Sequence, residues 1–109
     1  MNVLLPNSIV AYFNASNGVE GATPAHCFAE DAIVHDDGHS HQGLEAIQDC
    51  LLVARRQYAY TIEPMSAGHE GASMKVQATV SGTFPGSPIR LEHVLRLHGD
   101  KIKALEVIG

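Results

Sequence analysis

The chain has 109 residues, 45% hydrophobic and 17% charged, enough for one core and too few for two, so a single domain over residues 1–109 is expected. Twelve acidic against seven basic residues give a formal charge of −5. Apart from Arg55-Arg56 the basic residues are dispersed, so no basic stripe is available to phosphates and nucleic acid is not expected as a partner. The opening Met1 to Pro6 has apolar residues but no basic region, unlike a signal peptide, and no segment reaches the length of a membrane span; a cytoplasmic protein with no membrane partner is expected.

In chain order, Pro6-Asn7 starts a helix over roughly residues 6–16, with Ile9, Val10, Tyr12 and Phe13 on its face and Asn17-Gly18 as its end. Thr23-Pro24 pairs a cap residue with a first-turn proline and predicts a short second helix carrying Cys27 and Phe28. Ala32 to Asp36 reads as a strand, followed by a polar loop. Ile47, Leu51, Ala54 and Tyr58 then recur at three- and four-residue spacing, giving a third helix over about 43–57. Cys27 and Cys50 fall on these helices beside apolar residues and read as buried, inert thiols.

Beyond residue 59 the period changes to two. Tyr60, Ile62 and Pro64 alternate with polar residues, as do Met74, Val76, Ala78 and Val80; a turn over Gly68–Gly71 joins the two strands. Phe84 to Pro88 is a second turn. Ile89, Leu91, His93, Leu95 and Leu97 share one face of a third strand, and Gly99-Asp100 leads into a last strand from Ile102 to Ile108. Helices followed by an antiparallel meander define an α+β class, three N-terminal helices packed on one face of a curved, mostly antiparallel sheet. The other sheet face, with Val94, Leu105 and Val107 as candidates, would be partly apolar, which predicts a homodimer through the sheet.

The segment Cys27 to Ile47 concentrates ionisable side chains where the first strand ends: Asp31, His35, Asp36, Asp37, His39 and His41. Carboxylates beside imidazoles are groups whose protonation can be moved into the neutral range by their surroundings. His39-Ser40-His41 with Glu45 also fits a two-histidine plus glutamate metal spacing of the cupin type. Gln42-Gly43 opens a helix that takes Glu45 away from the loop, so no metal is expected.

The order of elements, and the phrases Cys27-Phe28-Ala29-Glu30-Asp31-Ala32, His41-Gln42-Gly43-Leu44-Glu45-Ala46-Ile47 and Ser81-Gly82-Thr83-Phe84-Pro85-Gly86-Ser87-Pro88, resemble the cone-shaped nuclear transport factor 2-like superfamily, in its SnoaL-like polyketide cyclase and ketosteroid isomerase branch. The resemblance covers nearly the whole chain. It implies an apolar pocket for a small hydrophobic or carbonyl-bearing molecule and, where the pocket is catalytic, isomerase- or cyclase-type proton transfer without a cofactor; the same fold also serves non-catalytic binding and dimerisation modules.

In ketosteroid isomerases an aspartate base works with a tyrosine and a protonated aspartate that donate to the developing oxyanion. The resemblance puts Asp36 in the place of the base and Tyr12, 24 positions earlier, in that of the tyrosine. His93 stands where the isomerases have their neutral acid, a departure from the pattern, although a neutral imidazole still donates one hydrogen bond. Phe13, Phe28, Leu51, Tyr58, Val76 and Leu95 would form the apolar walls and raise the proton affinity of Asp36. Each polar residue has a structural reading beside the chemical one: Tyr12 as an amphipathic core residue, Asp36 as a turn former before Asp37-Gly38, His93 as a satisfied buried histidine.

Overall fold

The computed structural model describes residues 5–36, 38–57 and 59–109. Helix α1 (Asn7–Ser16) leads through a single 3-10 turn (Pro24–His26) into β1 (Phe28–Asp36), β2 (His39–Gln42), α2 (Leu44–Gln57), β3 (Tyr60–Glu70), β4 (Ser73–Gly82), β5 (Ile89–His98) and β6 (Lys101–Ile108). The strands form one six-stranded sheet in the order β2-β1-β6-β5-β4-β3. The meander β3 to β6 is antiparallel; β1 docks beside β6 in parallel, so the sheet is mixed. A parallel neighbour requires a crossover, and the chain from β1 to β3 through α2 allows the meander to return to β1 from the far edge.

Among the described residues two α-helices, not three, cover the sheet, and the second of them follows β1 and β2. The expected second helix is the three-residue turn Pro24–His26; Cys27 lies just past that turn, and Phe28 opens β1. Thr23 is extended, with no side-chain cap bond, so the Thr-Pro signal starts one turn and no more. Pairing with β6 takes over at once: Phe28 lies opposite Ile102. Three of the apolar residues of β1, Phe28, Ala32 and Val34, are buried. The second difference is β2, where the sequence predicts a polar loop. It is a short edge strand, antiparallel to β1, with Asp36 opposite His39 and Val34 opposite His41. An edge strand facing solvent needs no apolar alternation, so its sequence carries no periodic signal. Gly43, at φ 90°, then donates its N–H to Ala32 O at 2.8 Å and accepts from Ile47 N at 3.0 Å, turning the chain into α2.

The core lies between the helices and one face of the sheet. Ile9, Tyr12 and Phe13 of α1 and Ile47 of α2 pack with Val34, Ile62, Val76, Ala78, Leu95, Ile102 and Leu105. The meander's alternation is clean in β4, where Met74, Val76, Ala78 and Val80 are buried and the residues between them are not. It breaks in β6. Leu97 pairs with Ile102 and Arg96 with Ala104, so Lys103 is an extra residue that shifts the phase of the strand. As a result Leu105, 1% exposed, and Val107 both face the helices, correcting their expected place on the outer face. Of the three candidates only Val94 lies on the outer side, in a row between Lys75 and Glu106. That face also carries a Gln77 Nε2 to Glu92 hydrogen bond of 2.8 Å, and is more polar than expected.

Candidate functional site

Helix α1 places Tyr12 and Phe13 on its buried face because Ile9, Tyr12 and Phe13 recur at three- and four-residue spacing against the sheet. Both are near-fully buried, and their rings meet edge to face at 5.0 Å. The His93 ring, 1% exposed on β5, lies 5.8 Å from the Tyr12 ring and 5.4 Å from that of Phe13. Phe28 closes the cluster from β1, perpendicular to Tyr12 at 5.9 Å. Val76 sits opposite His93 in the register, and Leu95 follows on the same face; both are fully buried. Five of the sequence-predicted residues therefore surround the sixth, His93, in one cluster.

Asp36 reaches the same region from the end of β1. It pairs with Val107, which pairs with His93, so the carboxylate and the imidazole occupy one transverse row on the helix-facing side, two strands apart. Strand spacing makes that about 9–10 Å between backbones. Asp36 is half-buried. Its charge is felt by three neighbours. Burial holds the Tyr12 phenol well above its ordinary value, the Ser16 hydroxyl one turn on opposes this, and the charges of Tyr60, Asp36 and Cys50 add to the rise. Burial also raises Tyr60, with Arg55 opposing and Cys50 and Asp36 adding, and it raises Cys50, with Asp36 adding. Tyr60 and Cys50 thus join the surroundings of Asp36. By sequence Tyr60 is only a strand residue and Cys50 inert core; the available signal was the helical spacing of Ile47, Cys50 and Ala54.

Burial pushes His93 down to about 4, with the Leu91 and Val76 backbone carbonyls opposing. It is neutral at physiological pH. Among the described residues its Nδ1 finds no hydrogen-bond partner. Tyr12 keeps its proton under the same conditions, so the cluster presents a hydroxyl donor and a neutral imidazole in apolar surroundings.

Other candidates lie elsewhere. Leu51 lines a groove bounded by the end of α1, residues 18–24 and α2. Tyr58 and Asp37 lie outside the described residues. His35 is exposed and its Nδ1 is 2.8 Å from Ser40 Oγ; Asp31 is exposed and paired with Lys103. His39 is exposed opposite Asp36, and Glu45 rides in the first turn of α2. Among the described residues no three His, Cys, Asp or Glu side chains converge on a metal position. Cys27 is fully buried, its thiol pushed up to about 11 by burial and pointing at the Pro24 carbonyl.

Neither a family model nor a curated protein matches the chain. A solved structure from Sinorhizobium meliloti, described as a candidate polyketide cyclase, is 35% identical over 94% of both chains, with a TM-score of 0.88. The chain belongs to the nuclear transport factor 2-like superfamily. Within that superfamily, a Catenulispora acidiphila protein with a ketosteroid isomerase-like fold, solved with trimethylamine, matches at a TM-score of 0.80 and 20% identity over 97% of this chain and 87% of its own. An epoxide hydrolase-like protein of Mycobacterium tuberculosis matches at 0.72 and 13% identity over 92% and 77%. These two show the fold alone. Different chemistries share this nuclear transport factor 2-like frame, so function rests on the residues of the site.

Proposed function

We propose that this protein binds a small carbonyl-bearing molecule in the space bordered by Tyr12, Asp36 and His93 and moves a proton next to the carbonyl. Asp36 would act as the base, Tyr12 as the main donor to the developing oxyanion and His93 as a second donor. The observation that supports this most is that His93, neutral and with no partner for its Nδ1 among the described residues, shares a sheet row with the Asp36 carboxylate, while the ring of Tyr12, whose phenol burial keeps protonated, lies 5.8 Å from the imidazole. An oxyanion is best stabilised by fixed donors in a water-poor site, and a base needs only to reach the adjacent C–H. The homodimer and the cytoplasmic location form part of the same reading.

Deuterium exchange next to the carbonyl of a small cyclic ketone, followed by NMR, tests it. The wild type should accelerate exchange over buffer, and Asp36→Asn should remove roughly 10²- to 10⁴-fold of that acceleration while keeping the fold. Wild-type exchange at the buffer rate would end the catalytic reading.

One observation favours a second reading, a non-catalytic binding or assembly module. Tyr12 and His93 are 5% and 1% exposed, sealed by Phe13 and Phe28. A closed cluster of this kind satisfies packing without any substrate. In that case a ketone would bind without exchange, or would not bind.

A further inference from the structure

The groove bounded by the end of α1, residues 18–24 and α2 is separate from the Tyr12–His93 cluster, and the proposed proton transfer does not use it. It holds about 180 Å³ and is walled by Val19, Ala22, Pro24, Leu51 and Leu52. Val19 and Leu52, which both line the groove, remain 48% and 44% exposed and add apolar surface at its rim. Among the described residues that line it, Arg55 alone is charged, and no carboxylate lines it, although the chain as a whole carries −5.

Arg55 is held in place before any ligand arrives. Its Nη1 donates to the Ser16 carbonyl at 3.4 Å and to the Tyr60 carbonyl, and its guanidinium carbon stands 4.7 Å over the Tyr60 ring. The other edge, Nε and Nη2, runs past Gly18. A side chain there would place its Cβ 3.4 Å from Nε and 3.6 Å from Nη2, against that edge, and Gly18 and Arg55 both line the groove, so the glycine adds no side chain between the edge and the hollow. Gly18 also adopts φ 72°, which few other residues tolerate. A fixed guanidinium edge with two parallel donors matches a carboxylate, and a restrained donor loses little entropy on binding.

We infer that this groove is a binding site for a small carboxylate with an unbranched apolar tail, the carboxylate on the Nε–Nη2 edge of Arg55 and the tail between Val19, Ala22 and Leu52. The volume sets the size. Pockets for drug-sized ligands span about 300–1,000 Å³, so a smaller hollow suits a chain of about six carbons and excludes a polycyclic molecule.

The test is a titration of the ¹⁵N-labelled protein with hexanoate, and with hexanamide as the neutral analogue, followed by amide shifts. Hexanoate should move Val19, Ala22, Leu51 and Leu52, and hexanamide should bind at least about fivefold more weakly. Arg55 also braces α1 against β3, so the variants are placed at exposed Leu52 instead. Leu52→Asp should weaken hexanoate by about fivefold or more beyond the isosteric Leu52→Asn, since both remove the same apolar contact with the tail and only the aspartate adds like-charge repulsion. Shifts gathered on Tyr12, Phe13 and Phe28, equal affinity for hexanamide, equal effects of the two Leu52 variants, or no shift at about 20 mM would each overturn the site.

Discussion

His93 carries the most distinctive physical signature of any residue in the chain. A histidine inside a cluster of Tyr12, Phe13 and Val76 must be neutral to be folded, and its value of about 4 against an ordinary 6.5 expresses that. Between those two values the unfolded chain binds a proton that the folded chain refuses. Stability from this group is therefore complete above pH 6.5 and is lost as pH falls toward 4, by about 3 kcal/mol in all. Urea denaturation at pH 7.5 and pH 4.5 checks it. The acid-induced loss should be about 2–3 kcal/mol smaller in His93→Gln than in the wild type, since the carboxylates titrate alike in both and cancel. An unchanged loss would mean that His93 is charged or solvated in the fold. In that neutral state His93 still carries one N–H, the one that the proposed oxyanion role would use.

At the scale of elements, the attachment of α1 to the sheet is decided at its C-terminus. Asn17 ends the helix and then bonds the edge strand at both of its functions: Nδ2 donates to Ile62 O at 2.9 Å, and Ile62 N donates to Oδ1 at 2.7 Å. An amide side chain here mimics one residue of a further strand, covering an edge that would otherwise meet water or another chain. Arg55 adds its bonds to the Ser16 and Tyr60 carbonyls, so α1, α2 and β3 meet at one corner. Asn17→Ala should lower stability by about 1–3 kcal/mol, the usual worth of two partly buried hydrogen bonds, in chemical denaturation. It should also loosen Tyr12, read as faster amide exchange in the last turn of α1. A loss under about 0.5 kcal/mol would show that water replaces the side chain without penalty. On the far side of the same corner, a methyl group on Gly82 would stand 2.4 Å from the Ala59 carbonyl, so only glycine lets β3 begin so close to the end of β4.

For the whole molecule, assembly turns on the outer sheet face. It presents half-buried Ile33 and Val94 and exposed Ile108 among Lys75, Arg90, Arg96, Glu92 and Glu106. A surface with both charge signs around an apolar centre can meet itself across a two-fold axis. Light scattering at micromolar concentration should give twice the 11.7 kDa of the chain, and Val94→Asp should return it to the monomer with its circular dichroism intact. A monomer in the wild type would assign the sheet face to solvent, in keeping with its polarity.

The sequence by itself determined the class, α+β, the boundaries of both helices to within a residue or so, and the meander, because each rests on a local period that burial on one side imposes on the chain. It also placed Asp36 at a strand end and His93 on a buried face, which alternation alone can decide. Tertiary structure decided the rest. Phe28 became a strand residue because β6 offered it a partner, a choice that no local signal near Thr23-Pro24 contains. The polar strand β2 formed because β1 had an open edge, the Asp37-Gly38 dipeptide being its one sequence trace. A single extra residue at Lys103 turned Leu105 and Val107 from the outer face to the core, and such a bulge is set by pairing rather than composition. Which polar groups meet was likewise beyond reach: Tyr12 touches His93 through packing between a helix and a strand some eighty positions away, and contacts of that range exist only once the sheet has closed beneath the helix.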